Sequence, residues 1–90
     1  MTKFKEIPNE EKPRERLLLY GKNNLSNEEL LMIILKTGTK KLSVKEVSNN
    51  LLAYLKDIRN LKNITYNKLI NINGIGKVKA IELLALVELS

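Results

Sequence analysis

The chain lacks cysteine, histidine and tryptophan altogether, and has one phenylalanine and two prolines among its 90 residues. Without cysteine there are no disulfides, which suits a reducing compartment, and a cytoplasmic location is expected. Without histidine or cysteine a zinc site would have to be all carboxylate, a rare arrangement. No metal or other cofactor is expected. The same absences remove Ser-His-Asp and Cys-His nucleophile systems. Most carboxylates stand beside lysine or arginine in polar helical patterns, as solvated surface residues do. The chain is therefore read as non-enzymatic, with no small-molecule substrate. No apolar run approaches the roughly 18 residues a membrane span needs. The start, Met1-Thr2-Lys3-Phe4-Lys5, has no apolar stretch behind it, so no signal peptide is expected.

What is present fits a small helical domain. Hydrophobic residues make up 43% of the chain and aromatics only 4%, so the core must be aliphatic. Ninety residues allow one modest core. The net charge is +6, and its excess is local. Between residues 36 and 62, Lys36, Lys40, Lys41, Lys45, Lys56, Arg59 and Lys62 oppose only Glu46 and Asp57. Such a patch attracts a polyanion, or simply solubilises a lysine- and asparagine-rich chain.

Five helices are predicted, with no strand alternation, making the class all-α. The first runs from about Lys12 to Tyr20, with Pro13 in its first turn and Gly21 just past its end. Ser26 and Glu29 form a capping-box pair for the second, whose apolar stripe is Leu30, Leu31, Ile34 and Leu35. Ser43 and Glu46 repeat that signal for the third, carrying Val44, Val47, Leu51, Leu52 and Leu55. Asp57 to Asn63 reads as a connector with a short turn around Arg59-Asn60-Leu61. Thr65 caps a fourth helix, Tyr66 to Asn71, with Leu69, Ile70 and Ile72 apolar. The fifth spans Lys77 to Leu89. It is apolar almost all round, so Val78 to Leu86 is expected to be buried at the centre of the bundle. Val87 to Leu89 is expected to dock on another domain or chain.

Helix two, Thr37-Gly38-Thr39-Lys40 and helix three resemble helix four, Asn73-Gly74-Ile75-Gly76 and helix five. Both are helix, glycine-containing turn, helix; the first copy is degenerate, with a longer turn and one glycine. Ordinary bundle topology accounts for the same pattern.

The second turn carries the chemistry. A tight connection between helices needs positive φ, which Gly74 and Gly76 supply without a Cβ penalty and Asn73 tolerates. Ile75 is apolar in mid-turn and is expected to tuck back between the helices. Ala80, one turn on, allows close approach. Backbone N–H groups then stand open at a helix N-terminus, where the dipole favours an anion. Lys77 and Lys79 flank them. Nothing there is suited to reading base edges, so contact should be to phosphate. A Walker A loop would need glycine at 71 and Ser/Thr at 78, where Asn71 and Val78 stand. A dinucleotide fingerprint would need a preceding strand and glycine at 79. A plain helix-capping turn is the bland alternative.

This stretch resembles the helix-hairpin-helix motif of DNA-repair proteins, whose Gly-hydrophobic-Gly turn contacts DNA phosphates. Lys12-Pro13-Arg14-Glu15-Arg16-Leu17-Leu18, Gly21, Leu25-Ser26-Asn27-Glu28-Glu29-Leu30-Leu31 and Thr37-Gly38-Thr39 extend the likeness over essentially the whole chain. Together they look like the N-terminal domain of the bacterial RadC family. That resemblance implies an association with DNA repair and a following JAB/MPN domain, whose metal site uses His, Asp and Glu. The chain is thus read as one helical domain, residues 1–90, with the hairpin at about 65–89, from a longer protein. Its own C-terminal JAB/MPN domain is an implied partner. Asn73 departs from the Lys or Pro common before the glycines, removing one cation. Arg14 and Arg16 either meet phosphate or pair with Glu10, Glu11 and Glu15.

The expected function is sequence-independent DNA binding. The hairpin site is Asn73, Gly74, Ile75, Gly76, Lys77 and Lys79; the second contact is Lys36, Thr37, Gly38, Thr39, Lys40 and Lys41. The alternative is a module that positions the JAB/MPN domain and binds no DNA.

Overall fold

A computed structural model describes residues 12–21 and 25–90. The architecture is all-α: α1 (Lys12–Tyr20), α2 (Asn27–Leu35), α3 (Val44–Leu55), a 3-10 helix (Ile58–Asn63), α4 (Tyr66–Ile70) and α5 (Lys77–Leu89). No described residue lies in a strand, and no described helix is long and apolar enough to cross a membrane.

The caps form as the sequence dictates. Ser26 Oγ accepts from Glu29 N while Glu29 Oε1 accepts from Ser26 N at 3.0 Å. Ser43 and Glu46 close the same reciprocal box on α3. Each satisfies two orphan donors of a first helical turn. Gly21 sits at φ 84 and donates to Leu17 O at 3.0 Å, ending α1 in the left-handed region only glycine enters freely. Thr65 Oγ1 accepts from Lys68 N to start α4.

The core joins Leu31 and Leu35 of α2, Val47, Leu51 and Leu55 of α3, Ile64, Leu69 of α4, Ile72 and Ile75 of the following turn, and Ala80 and Leu83 of α5. It is aliphatic, as the shortage of aromatic residues requires. Arg16 of α1 is ion-paired with Glu29 of α2, which fastens α1 to the bundle. The partners expected for it at Glu10 and Glu11 lie outside the described residues.

Three expectations are corrected. The connector after α3 is a continuous 3-10 helix: Asp57 Oδ1 accepts from Arg59 N and so caps it. The fourth helix stops at Ile70, whose side chain faces outward, while Leu69 and Ile72 point in. The third concerns α5, which is not buried on every side. Ala80 and Leu83 are fully covered, but Val78 is 68% exposed, Ile81 49% and Leu86 39%. A bundle this small has too few neighbours to surround one helix, so an apolar strip stays outside.

Candidate nucleic-acid interface

Gly74 alone of the two hairpin glycines takes positive φ, at 100°. Its backbone also presses on α3. A Cβ there would come within 2.5 Å of Val47 Cγ2 and 3.2 Å of Leu42 Cδ1. Gly76 serves differently. It is the N-cap of α5 at φ −97, with no side-chain cap, and the space where a Cβ would project is empty. The second glycine therefore keeps the mouth of α5 open; it is not needed for the turn's conformation.

Ile75 is buried, as its apolar character in mid-turn requires. Its amide is not free, because it donates to Ile72 O at 3.0 Å. Ile75 thus fixes the hairpin's shape and leaves phosphate contact to its neighbours. Among the described residues no acceptor meets the N–H groups of Gly74, Gly76, Lys77 or Val78. These are orphan donors at the positive end of a helix dipole. Lys77 is exposed beside them.

The two turns are brought together. Asn50 Nδ2 of α3 donates to Asn73 O at 3.0 Å, and Gly74 rests on Val47 of the same helix. An open concavity of about 530 Å³ is lined by Thr39 from the first turn and by Ile70, Asn71, Ile72, Asn73, Gly74, Ile75 and Gly76 from the second. Asn50 had no signal in the sequence. An asparagine inside a helix pattern gives no hint of a partner 23 positions away.

The first turn is built on a different plan. Lys36, not Gly38, takes positive φ, at 70°, and Thr37 N donates to Leu35 O at 2.7 Å in a γ-turn. Gly38 is required for space, because a Cβ would lie 2.0 Å from Leu42 O. Thr39 Oγ1 accepts from Lys41 N and Leu42 N, while Thr39 N donates to Leu42 O at 2.8 Å. This hydroxyl organises the loop that leads to the cap of α3. Lys36, Lys40 and Lys41 are exposed around it.

Lys79 sits apart from the other candidate cations. Its Nζ donates to Leu35 O at 3.1 Å and lies 3.4 Å from Thr37 Oγ1, at the C-terminal end of α2. A cation there meets the negative end of a helix dipole. Lys79 thus ties one hairpin to the other, leaving Lys77 as the open lysine of the second turn.

Among the described residues two carboxylates have shifted acidities, and neither lines this concavity. The backbone amide of Ser26 holds the Glu29 carboxyl below its usual value, against partial burial and aided by Arg16. The Arg59 side chain likewise lowers Asp57.

The sequence of this helical domain matches a known family over most of its length. Residues 4–81 match the UPF0758 N-terminal family, and the chain belongs to it. The chain is 54% identical over 87 residues to the UPF0758 protein YsxA of Bacillus subtilis, covering 97% of the chain and 38% of that protein. A UPF0758 protein of Bacillus licheniformis is 51% identical over 87 residues, covering 97% and 39% respectively. One of Bacillus cereus is 44% identical over 89 residues, covering 99% and 40%. The chain therefore spans about two fifths of the length of these relatives. The likeness to RadC-type proteins read from the Pro-Arg-Glu-Arg-Leu-Leu block and the hairpin agrees with this membership. No solved structure matches the chain.

Proposed function

We propose that this domain binds DNA through backbone phosphate, without reading sequence. What carries the proposal is the open mouth of α5. Unpartnered amides stand there at a positive helix end, with no side chain in front of Gly76. A phosphate oxygen accepts from such donors at little cost in reorganisation. Lys77 supplies charge beside it, and Lys36, Lys40 and Lys41 supply more at the neighbouring turn. No arginine lines the concavity, and its unpartnered donors are backbone amides, which suit phosphate rather than base edges. With roughly three phosphates neutralised, log K falls against log salt with a slope of about −3. A salt titration on duplex oligonucleotides measures this slope, and binding that ignores salt rules the proposal out.

A second reading has its own observation. The exposed strip Val78, Ile81 and Leu89, with Leu86 partly open, is the kind of surface another domain covers. On this reading the domain positions a JAB/MPN domain and binds no DNA. In a full-length relative, glutamate at the positions of Leu86 and Leu89 would then disturb domain association, while Lys77→Glu would leave function intact.

A further inference from the structure

A second depression, of about 300 Å³, lies beyond the hairpin concavity and is lined by Tyr54, Leu55, Asn60, Asn63, Ile64 and Lys68. Buried Leu55 and Ile64 form its floor, and Tyr54, 48% exposed, offers a ring at its rim. Asn60 Nδ2 donates to Leu55 O at 2.7 Å, which fixes that amide in place. Asn60 Oδ1 meets no donor among the described residues. The Asn63 side chain is exposed, and among the described residues it has no hydrogen-bond partner and Lys68 no carboxylate partner. An apolar floor, an aromatic edge, two amides and one cation suit a planar heterocycle that carries amide-like groups and an attached anion.

The two depressions are neighbours on the same elements. Lys68 of α4 lines this one, while Ile70 at the end of that helix and Asn71 just past it line the other. On α3, Asn50 holds the hairpin carbonyl and Tyr54 follows one turn later on the same face, about 6 Å along the axis. Lys56, Arg59 and Lys62, on the segment between α3 and α4, are exposed; Arg59 is paired with Asp57.

We propose that this depression receives an unpaired nucleobase of the strand whose phosphate is held at the hairpin, with the base stacked on Tyr54 and its phosphate beside Lys68. The proposal deepens the DNA-binding reading and rests on it. It makes the domain a reader of single-stranded segments that adjoin duplex. Stacking is tolerant of sequence because every base has a π-face, so the site adds structural selectivity without sequence selectivity.

The test compares a blunt duplex, the same duplex with a short single-stranded overhang, and the free single strand, by fluorescence anisotropy. The overhang is expected to tighten binding about ten-fold. Tyr54→Ala should abolish that gain and leave the blunt duplex unaffected, while Tyr54→Phe keeps it. Equal affinity for blunt and overhang DNA overturns the base site but leaves the hairpin reading standing. So does a gain that survives Tyr54→Ala, or one that polyglutamate competes away as readily as unlabelled overhang DNA. Tyr54-dependent binding of the free strand with no duplex binding supports the base site and overturns the hairpin. Absence of binding in every arm overturns both.

Discussion

Lys79 Nζ stands 3.1 Å from the carbonyl oxygen of Leu35, so a lysine of α5 closes the C-terminal end of α2. One side chain thereby links the two hairpins, whose turns must keep a fixed spacing if both are to meet one backbone. Lys79→Gln should lower stability by about 1 kcal/mol in urea unfolding, through loss of a charge-assisted bond at a helix end. It should leave the salt slope of DNA binding nearly unchanged. Lys77→Gln should do the reverse, leaving stability intact and reducing the slope by about 1.

The two hairpin glycines should separate in the same way. Gly74→Ala places a Cβ within 2.5 Å of Val47 at φ 100 and should destabilise the fold by about 2 kcal/mol or more. Gly76→Ala meets nothing within 4 Å and should cost at most about 1 kcal/mol, the difference between the two residues as N-caps. Its methyl group would nevertheless sit at the mouth of α5 and weaken phosphate binding. Thermal unfolding and DNA titration on the two variants check both halves.

Ser48 is fully buried in α3, and among the described residues its Oγ has no hydrogen-bond partner. Ser48→Ala removes an unsatisfied polar atom at nearly constant volume. It should raise stability by about 1 kcal/mol, read as a higher urea midpoint with unchanged m-value.

Glu29 gives the fold a dependence on acid. Its carboxyl is held below the usual value in the folded state, first by the Ser26 amide and then by Arg16. A depressed folded pKa means that the contribution is complete above the unfolded pKa and is lost as pH falls through the folded one. The stability difference between the wild-type chain and Glu29→Gln should therefore be largest near neutral pH. It should shrink as unfolding is measured at successively lower pH across the carboxylate range.

Local signals were the legible ones. Ser26 with Glu29, Ser43 with Glu46, Thr65 and Gly21 each mark a helix boundary within a few residues, and each makes its expected bond or dihedral. Ile75 was legible because an apolar residue in mid-turn has few other places to go. Relationships across the bundle were not. That Lys79 reaches Leu35, that Asn50 holds Asn73, and that Gly74 seats on Val47 depend on how two hairpins pack. The apolar circumference of α5 pointed to complete burial, but the residue count of so small a bundle could not supply the cover. The role of Gly38 was hidden for a related reason: what it avoids is the backbone of Leu42, folded back by Thr39.

The central claim is that phosphate is held at the mouth of α5, and an amide-resolved NMR titration with a short duplex tests it most directly. The Gly76, Lys77 and Val78 amides should shift together on DNA addition and return as salt is raised, with Ile75 moving less because its N–H is already bonded within the turn. Shifts confined to the distal end of α5, from Leu86 to Ser90, or no shift at the mouth at saturating DNA, would contradict it.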